Sequence, residues 1–186
     1  MLDAARDVVL TAGIGRTSLA EIARRAGVSR MTIYRNFPDL DAILGALFTR
    51  EFAGAVGQIE EDVSALPTAR ERLIDATIRA AERLATEPLL ARIVALDPEW
   101  LLPYLTTRFG QSQRSVRDVY ARFLAAGLDD GSIRPLRISA ATFVLFILAQ
   151  GMVLSATIAA EEGVSEEAQR ELRDLLERYL RPGQGD

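Results

Sequence analysis

Apolar side chains recur at helical spacing from the first residues of the chain. Leu2, Ala5, Val8, Val9 and Ala12 form one stripe, which predicts a helix over 2–12 ending at Gly13 and Gly15. Leu19, Ile22, Ala23 and Ala26 repeat the pattern. Ser18, three residues ahead of Glu21, marks the start of that helix as a capping box, and Gly27 marks its stop. Ser29 then caps a second short helix, in which Ile33 and Phe37 lie one turn apart and point inward. Rotation by about 100° per residue leaves Arg30, Met31, Thr32, Tyr34 and Arg35 facing outward or sideways, a surface that folding does not require.

The rest of the chain is also helical in pattern. Pro38 and Asp39 open a long helix to about residue 65, with Leu40, Ile43, Leu44, Leu47, Phe48, Phe52, Val56, Ile59 and Val63 on its buried side. At about 1.5 Å per residue it spans roughly 40 Å, enough to join a small bundle to a larger one as a rigid lever. Pro67 and Thr68 open a helix over 68–86 with Leu73, Ile74, Ile78, Ala81 and Leu84 inward and Thr77 as the polar member of that stripe. Pro88 and Pro98 bound a short helix, 89–96, and a loop; the aromatic segment from Trp100 to Phe109 is kinked or interrupted at Pro103. A helix over 106–126 turns Val116, Val119, Tyr120, Phe123 and Leu124 inward, and Gly127 to Pro135 reads as a connector. Ser165 is the expected cap of a last helix, 165–181, with Leu172, Leu175, Leu176, Tyr179 and Leu180 on one face, before a loose tail over 182–186.

Residues 138–160 carry no charge over 23 positions, a length that suffices to cross a bilayer. Ser139, Thr142, Gln150, Gly151, Ser155 and Thr157 make it less apolar than a membrane span, so the expectation is a helix covered by its own core on one side and by a second subunit on the other.

Composition narrows the chemistry. Among 186 residues there is no cysteine and no histidine, and all 22 basic residues are arginine. Thiolate, imidazole and amine nucleophiles are therefore excluded, and an enzyme would need a centre built from carboxylates, hydroxyls and guanidinium alone. No glycine-rich phosphate loop is present, and no cofactor or metal site is expected. Asp3, Arg6 and Asp7 interrupt the first residues, which argues against a signal peptide and for a cytoplasmic protein. Residues 1–37 hold six arginines and three acids, net +3, while 38–186 hold sixteen arginines and twenty-three acids, net −7, which together make the −4 of the whole. A basic head on an acidic body directs nucleic acid to the head.

Between Ile22 and Phe37 stand Arg24, Arg25, Arg30 and Arg35 and no acid. Phosphate is the natural partner of such a surface, because neutralising it releases counterions. Arg30 and Arg35 have the reach for guanine edges or phosphates, Thr32 for a base or a thymine methyl, and Tyr34 for a phosphate.

With its paired caps and glycine turn, this stretch resembles the DNA-binding segment of the tetracycline-repressor-like (TetR) family of bacterial transcription regulators. The residues that carry the resemblance are Thr17, Ser18, Ile22, Ala23, Ala26, Gly27, Val28, Ser29, Thr32, Tyr34 and Phe37. It implies that Arg30, Met31, Thr32 and Arg35 face bases, and that Thr17, Ser18, Tyr34 and Asn36 hold phosphates. Many relatives carry a lysine near the start of the next helix as a further phosphate contact; here Leu40 stands between Asp39 and Asp41. No basic arm is expected ahead of the first helix.

The expectation is an all-α protein with a helix-turn-helix DNA-binding domain, 1–45, and a helical ligand-binding and dimerisation domain, 46–186. It would act as a homodimeric repressor that leaves a palindromic double-stranded operator on binding a small apolar effector, with no membrane partner. The effector is expected among the 68–86, 106–126 and 138–160 helices, near Trp100, Tyr104, Phe123, Phe143, Phe146 and Gln150. The alternative from another class is a helical interaction module that uses the basic helix-turn-helix to grip an acidic protein.

Overall fold

The structure, a computed structural model, describes residues 1–107 and 109–183. Among them it has eleven helices and no strand: α1 (Leu2–Ala12), α2 (Leu19–Arg25), α3 (Arg30–Asn36), α4 (Leu40–Val63), α5 (Ala69–Ala85), α6 (Pro88–Leu96), α7 (Pro98–Thr106), α8 (Gln111–Asp129), α9 (Ile138–Leu154), α10 (Ala156–Glu161) and α11 (Ser165–Leu180). They form two compact units, Met1–Gly54 with Thr86–Arg114, and Ala55–Ala85 with Ser115–Asp186. This division differs from the linear one expected, 1–45 and 46–186. The segment from Thr86 to Arg114 returns to the N-terminal unit because Leu89 and Ile93 of α6 are buried in the same core as Val9, Ile22, Ile33 and Leu44.

In the first unit α1 is the hub, packing on α2 and α6. Around its apolar side, Arg6 pairs with Glu51 of α4 at 3.5 Å and with Glu87, the N-cap of α6, at 3.4 Å. Trp100 of α7 stacks on Phe48 of α4, ring centroids 5.3 Å apart, and lies 5.1 Å from the ring of Tyr104. The segment after Pro98 is thus a helix and not the loop expected. Pro103 lies inside this helix, past its first turn, where it has no N–H to give the Glu99 carbonyl one turn back.

In the second unit α5 packs against α9 and α11. A reciprocal capping box forms at its start: Thr68 Oγ1 accepts from the Glu71 N–H, and Glu71 accepts from the Thr68 N–H and hydroxyl. The next donors, the Ala69 and Arg70 N–H groups, go to Asp130 and Ser132 in the connector after α8. α8 begins later and ends later than the periodicity suggested, running over Gln111–Asp129 rather than 106–126. Tyr120 is buried beside Thr77, and that burial pushes its phenol up to about 12 against a partial offset from the Thr77 hydrogen bond.

Residues 138–160 form two helices, α9 and α10, broken at Ser155, rather than one. α9 buries Ala141, Thr142, Leu145 and Phe146, while Phe143, Val144 and Ile147 are 46%, 45% and 42% exposed. Among the described residues no helix is long and apolar enough to cross a membrane. α11 starts at Ser165 with Val164 in the cap position, so the serine does not cap it; Gly163, at φ 71°, turns the chain from α10 and closes with Val164 N–H to Ala159 O at 2.9 Å. Leu175 is exposed, leaving Leu172, Leu176 and Leu180 as the buried stripe. The expected tail, 182–186, lies mostly outside the described residues.

Candidate nucleic-acid interface

Two short helices and the turn between them are built by local hydrogen bonds. Ser18 Oγ accepts from the Glu21 N–H at 3.2 Å, which opens α2. At its end Val28 N–H reaches Ala23 O at 3.0 Å and Gly27 N–H reaches Arg24 O at 3.3 Å, the two-bond closure that requires a left-handed residue between them. Gly27 supplies it at φ 66°, and an added Cβ there would meet nothing within 4 Å, so backbone conformation alone is the reason for glycine. Ser29 Oγ accepts from the Thr32 N–H at 3.1 Å and opens α3. Ile33 is fully buried beneath α3 and Phe37 packs at the edge of the same core.

The capping box at Ser18 is only half formed. Glu21 does not reach back to the cap; its carboxylate takes Arg24 Nε at 2.9 Å and Nη2 at 2.6 Å, and those bonds hold the Glu21 carboxyl below its ordinary range. Arg25 lies 3.4 Å from Asp7 of α1. The four arginines that look equivalent in the sequence are therefore two pairs. Arg24 and Arg25 have acids within reach, whereas Arg30 and Arg35, both exposed on α3, have no acidic partner among the described residues. Arg16, exposed in the turn after α1, likewise has none; nothing in the sequence separated it from the other arginines except its place beside Thr17.

Around Arg30 and Arg35 the same face presents Met31, 81% exposed, and Tyr34, 51% exposed. Thr32 is half-buried, its hydroxyl 2.8 Å from Ser29 Oγ, and Asn36 Nδ2 donates to Thr32 O at 2.7 Å. Ser18 is exposed at the start of α2. Thr17 is the member of the expected set that the structure turns inward: it is 8% exposed, and its hydroxyl donates to Gly13 O at 2.6 Å. The two acids on either side of Leu40 also have internal partners. Asp39 accepts from the Ala42 N–H at 2.8 Å at the start of α4, and Asp41 accepts from the Trp100 indole at 3.3 Å.

The six residues expected around an effector divide between the units. Trp100 and Tyr104 belong to the aromatic row of the first. In the second, Phe123 packs on Ile59, Val63 and Ala76, Phe146 is buried, Gln150 is half-buried and Phe143 faces outward.

Comparison with known proteins agrees with this geometry. Residues 1–47 match the bacterial regulatory proteins of the tetR family. An HTH-type transcriptional regulator of Mycobacterium bovis is 32% identical over 180 residues, covering 97% of this chain and 92% of that protein. The fatty acid metabolism regulator protein of Bacillus subtilis is 26% identical over 134 residues, covering 72% and 69%. Among solved structures, the FadR regulator of B. subtilis in complex with stearoyl-CoA superposes with a TM-score of 0.69 at 22% identity, covering 96% of this chain and 97% of that one.

Proposed function

The chain belongs to the tetR family of bacterial regulatory proteins and is a transcriptional regulator, and from that premise we propose that it is a repressor released from a palindromic operator by a mostly apolar ligand. The observation that carries DNA contact is the pair Arg30 and Arg35, unpaired with any acid among the described residues, on the face of α3 that also exposes Met31 and Tyr34. Arginine there has the reach for base edges and phosphates, and Tyr34, Ser18 and Asn36 flank it as further phosphate contacts. Thr17 serves the turn instead, through its bond to Gly13.

Two copies are needed to read a palindrome, and the exposed apolar face of α9, at Phe143, Val144 and Ile147, supports a dimer joined there and along α11. Two recognition helices would then meet major grooves about 34–36 Å apart or a multiple of that spacing. As a bacterial DNA-binding regulator it would act in the cytoplasm.

For the ligand, the second unit offers Phe123, Phe146 and Gln150, and also holds the buried Tyr120 and Thr77. The relatives named for fatty acid metabolism, and the stearoyl-CoA held by one of them, favour a long-chain acyl thioester as the class to test first. Ligand and operator would oppose each other through a coupling of about 1–3 kcal/mol, roughly 5- to 150-fold in affinity.

The test uses a fluorescent duplex enriched from a random-sequence pool by the protein itself. Binding that weakens steeply with salt, and that stearoyl-CoA reverses while coenzyme A alone does not, supports the proposal. Failure to enrich any duplex overturns DNA binding; enrichment with no response to acyl thioesters overturns the ligand class.

A further inference from the structure

We propose that Asp97 is a positioning residue for DNA binding, acting from outside the helix-turn-helix by fixing the turn that leads into α2. The proposal depends on the DNA-binding reading above and adds to it a residue fifty positions beyond the segment that matches the family.

Asp97 ends α6 and precedes α7, and is 7% exposed. An aspartate in that place ordinarily turns its carboxylate back to cap the helix that follows. Here it makes no such bond. Both oxygens go instead to the turn after α1: Oδ2 accepts the Ile14 N–H at 2.7 Å and Oδ1 accepts the Gly15 N–H at 2.9 Å. Among the described residues neither N–H has another acceptor. The turn is shaped around the carboxylate, since a Cβ on Gly13, at φ 80°, would stand 2.9 Å from Oδ2, and one on Gly15 would stand 3.2 Å from Oδ1.

From this turn the bonds run on toward the DNA-facing elements. Thr17 closes back on it, hydroxyl to Gly13 O at 2.6 Å and N–H to Ile14 O at 2.9 Å, and Ser18 follows at once as the cap of α2. Arg16, exposed and without an acidic partner, sits on the turn itself.

Docking of α6 has other supports. Leu89 and Ile93 are fully buried, Arg92 Nη2 donates to Thr11 O at 3.2 Å, and Glu87 meets Arg6. Removing the Asp97 carboxylate therefore leaves the helix held, while the turn loses the acceptors of its Ile14 and Gly15 N–H groups and keeps its bonds to Thr17 and the buried Ile14 side chain. A turn that spends much of its time in other conformations lowers operator affinity by the fraction of time it is competent.

The experiment compares full-length wild type, Asp97→Ala, Asp97→Asn and Gly15→Ala on the duplex enriched by the wild-type protein. Circular dichroism and melting report the folded fraction, and amide exchange reports the Ile14 and Gly15 N–H groups. The expected result for Asp97→Ala is faster exchange at those two amides and affinity of the folded protein lowered about tenfold or more as the competent fraction falls to one in ten, with the salt slope unchanged because the bound complex keeps its phosphate contacts. Asp97→Asn, which keeps shape and one acceptor, recovers part of the affinity. A folded Asp97→Ala protein with wild-type affinity overturns the proposal, as does a loss of affinity fully accounted for by lost folded protein. If Asp97→Ala does not fold, Gly15→Ala decides: its added methyl presses on Oδ1 from an ordinary backbone conformation, and it should weaken binding with little change in melting. Wild-type affinity in that variant overturns the proposal. A wild-type protein that enriches no duplex overturns the DNA-binding reading and this inference with it, whereas wild-type binding equalled by folded variants overturns this inference alone.

Discussion

Ile133 lies so close over Gly127 that a Cβ on the glycine would come within 2.3 Å of Ile133 Cδ1 and 2.5 Å of its Cγ1. Ile133 is buried, and its N–H donates to Gly127 O at 2.9 Å, so α8 must run through the glycine for the connector to fold back on it. Gly127→Ala is expected to destabilise the protein by about 1–3 kcal/mol through overpacking, measured by urea unfolding. Ile133→Val in the same chain should return part of that loss; equal stability of Gly127→Ala and wild type would contradict the packing.

The arginines of the N-terminal unit should separate by their partners. Arg30→Ala and Arg35→Ala are each expected to weaken binding to the enriched duplex by about 1–3 kcal/mol and to lower the salt slope by about one. Arg24→Ala, whose guanidinium is already held by Glu21, should cost clearly less. Equal losses at all three positions, read by fluorescence anisotropy, would show that the pairing with Glu21 does not persist on DNA.

Acid should weaken the second unit through Asp75. Burial alone would raise its carboxyl, but hydrogen bonds and charge from Arg79 at 2.6 Å and Arg173 at 2.8 Å outweigh it and hold it below the ordinary 3.8. The stability this pairing contributes is complete above that ordinary value and is lost as pH falls through the lower folded value. Asp75→Asn is therefore expected to be less stable at neutral pH and to show a smaller further loss on acidification, followed by urea midpoints. At the other extreme Tyr120, raised from 10.0 to about 12 by burial, contributes stability present below pH 10 and lost as pH climbs toward 12. Its ionisation, seen by ultraviolet absorbance, should appear only as pH approaches 12.

The outer face of α9 should decide assembly. Ile147→Glu places a charge where the side chain is already exposed, so the fold of one copy is expected to survive while association weakens. Sedimentation of wild type as a dimer and of the variant as a monomer with unchanged helical signal is the expected outcome; identical sedimentation would move the interface elsewhere.

The short N-terminal helices were legible in the sequence because what makes them is short-range. Serine caps at 18 and 29 act three residues ahead, the apolar stripe of α2 recurs within two turns, and the left-handed turn at Gly27 closes through bonds spanning five residues. Periodicity also located the stripes of α1, α4, α5 and α11, though it placed Leu175 in the core and ran α9 into α10 across Ser155. It marked which arginines stand near the recognition helix but not which of them are already engaged.

That distinction was decided by tertiary structure, as were the bonds that join distant segments within each unit. Asp97 meets Ile14 from 83 positions away, Asp130 meets the Ala69 N–H from 61, and Arg134 donates to Tyr179 O from 45. An isolated aspartate before a proline carries no local mark of the N–H it will serve. Helix caps and stripes are determined by side chains within about one turn of each other, so the residue types alone reveal them. A carboxylate buried against a distant turn is selected by the packing of α6 on α1, which brings the two within reach only once the chain has folded.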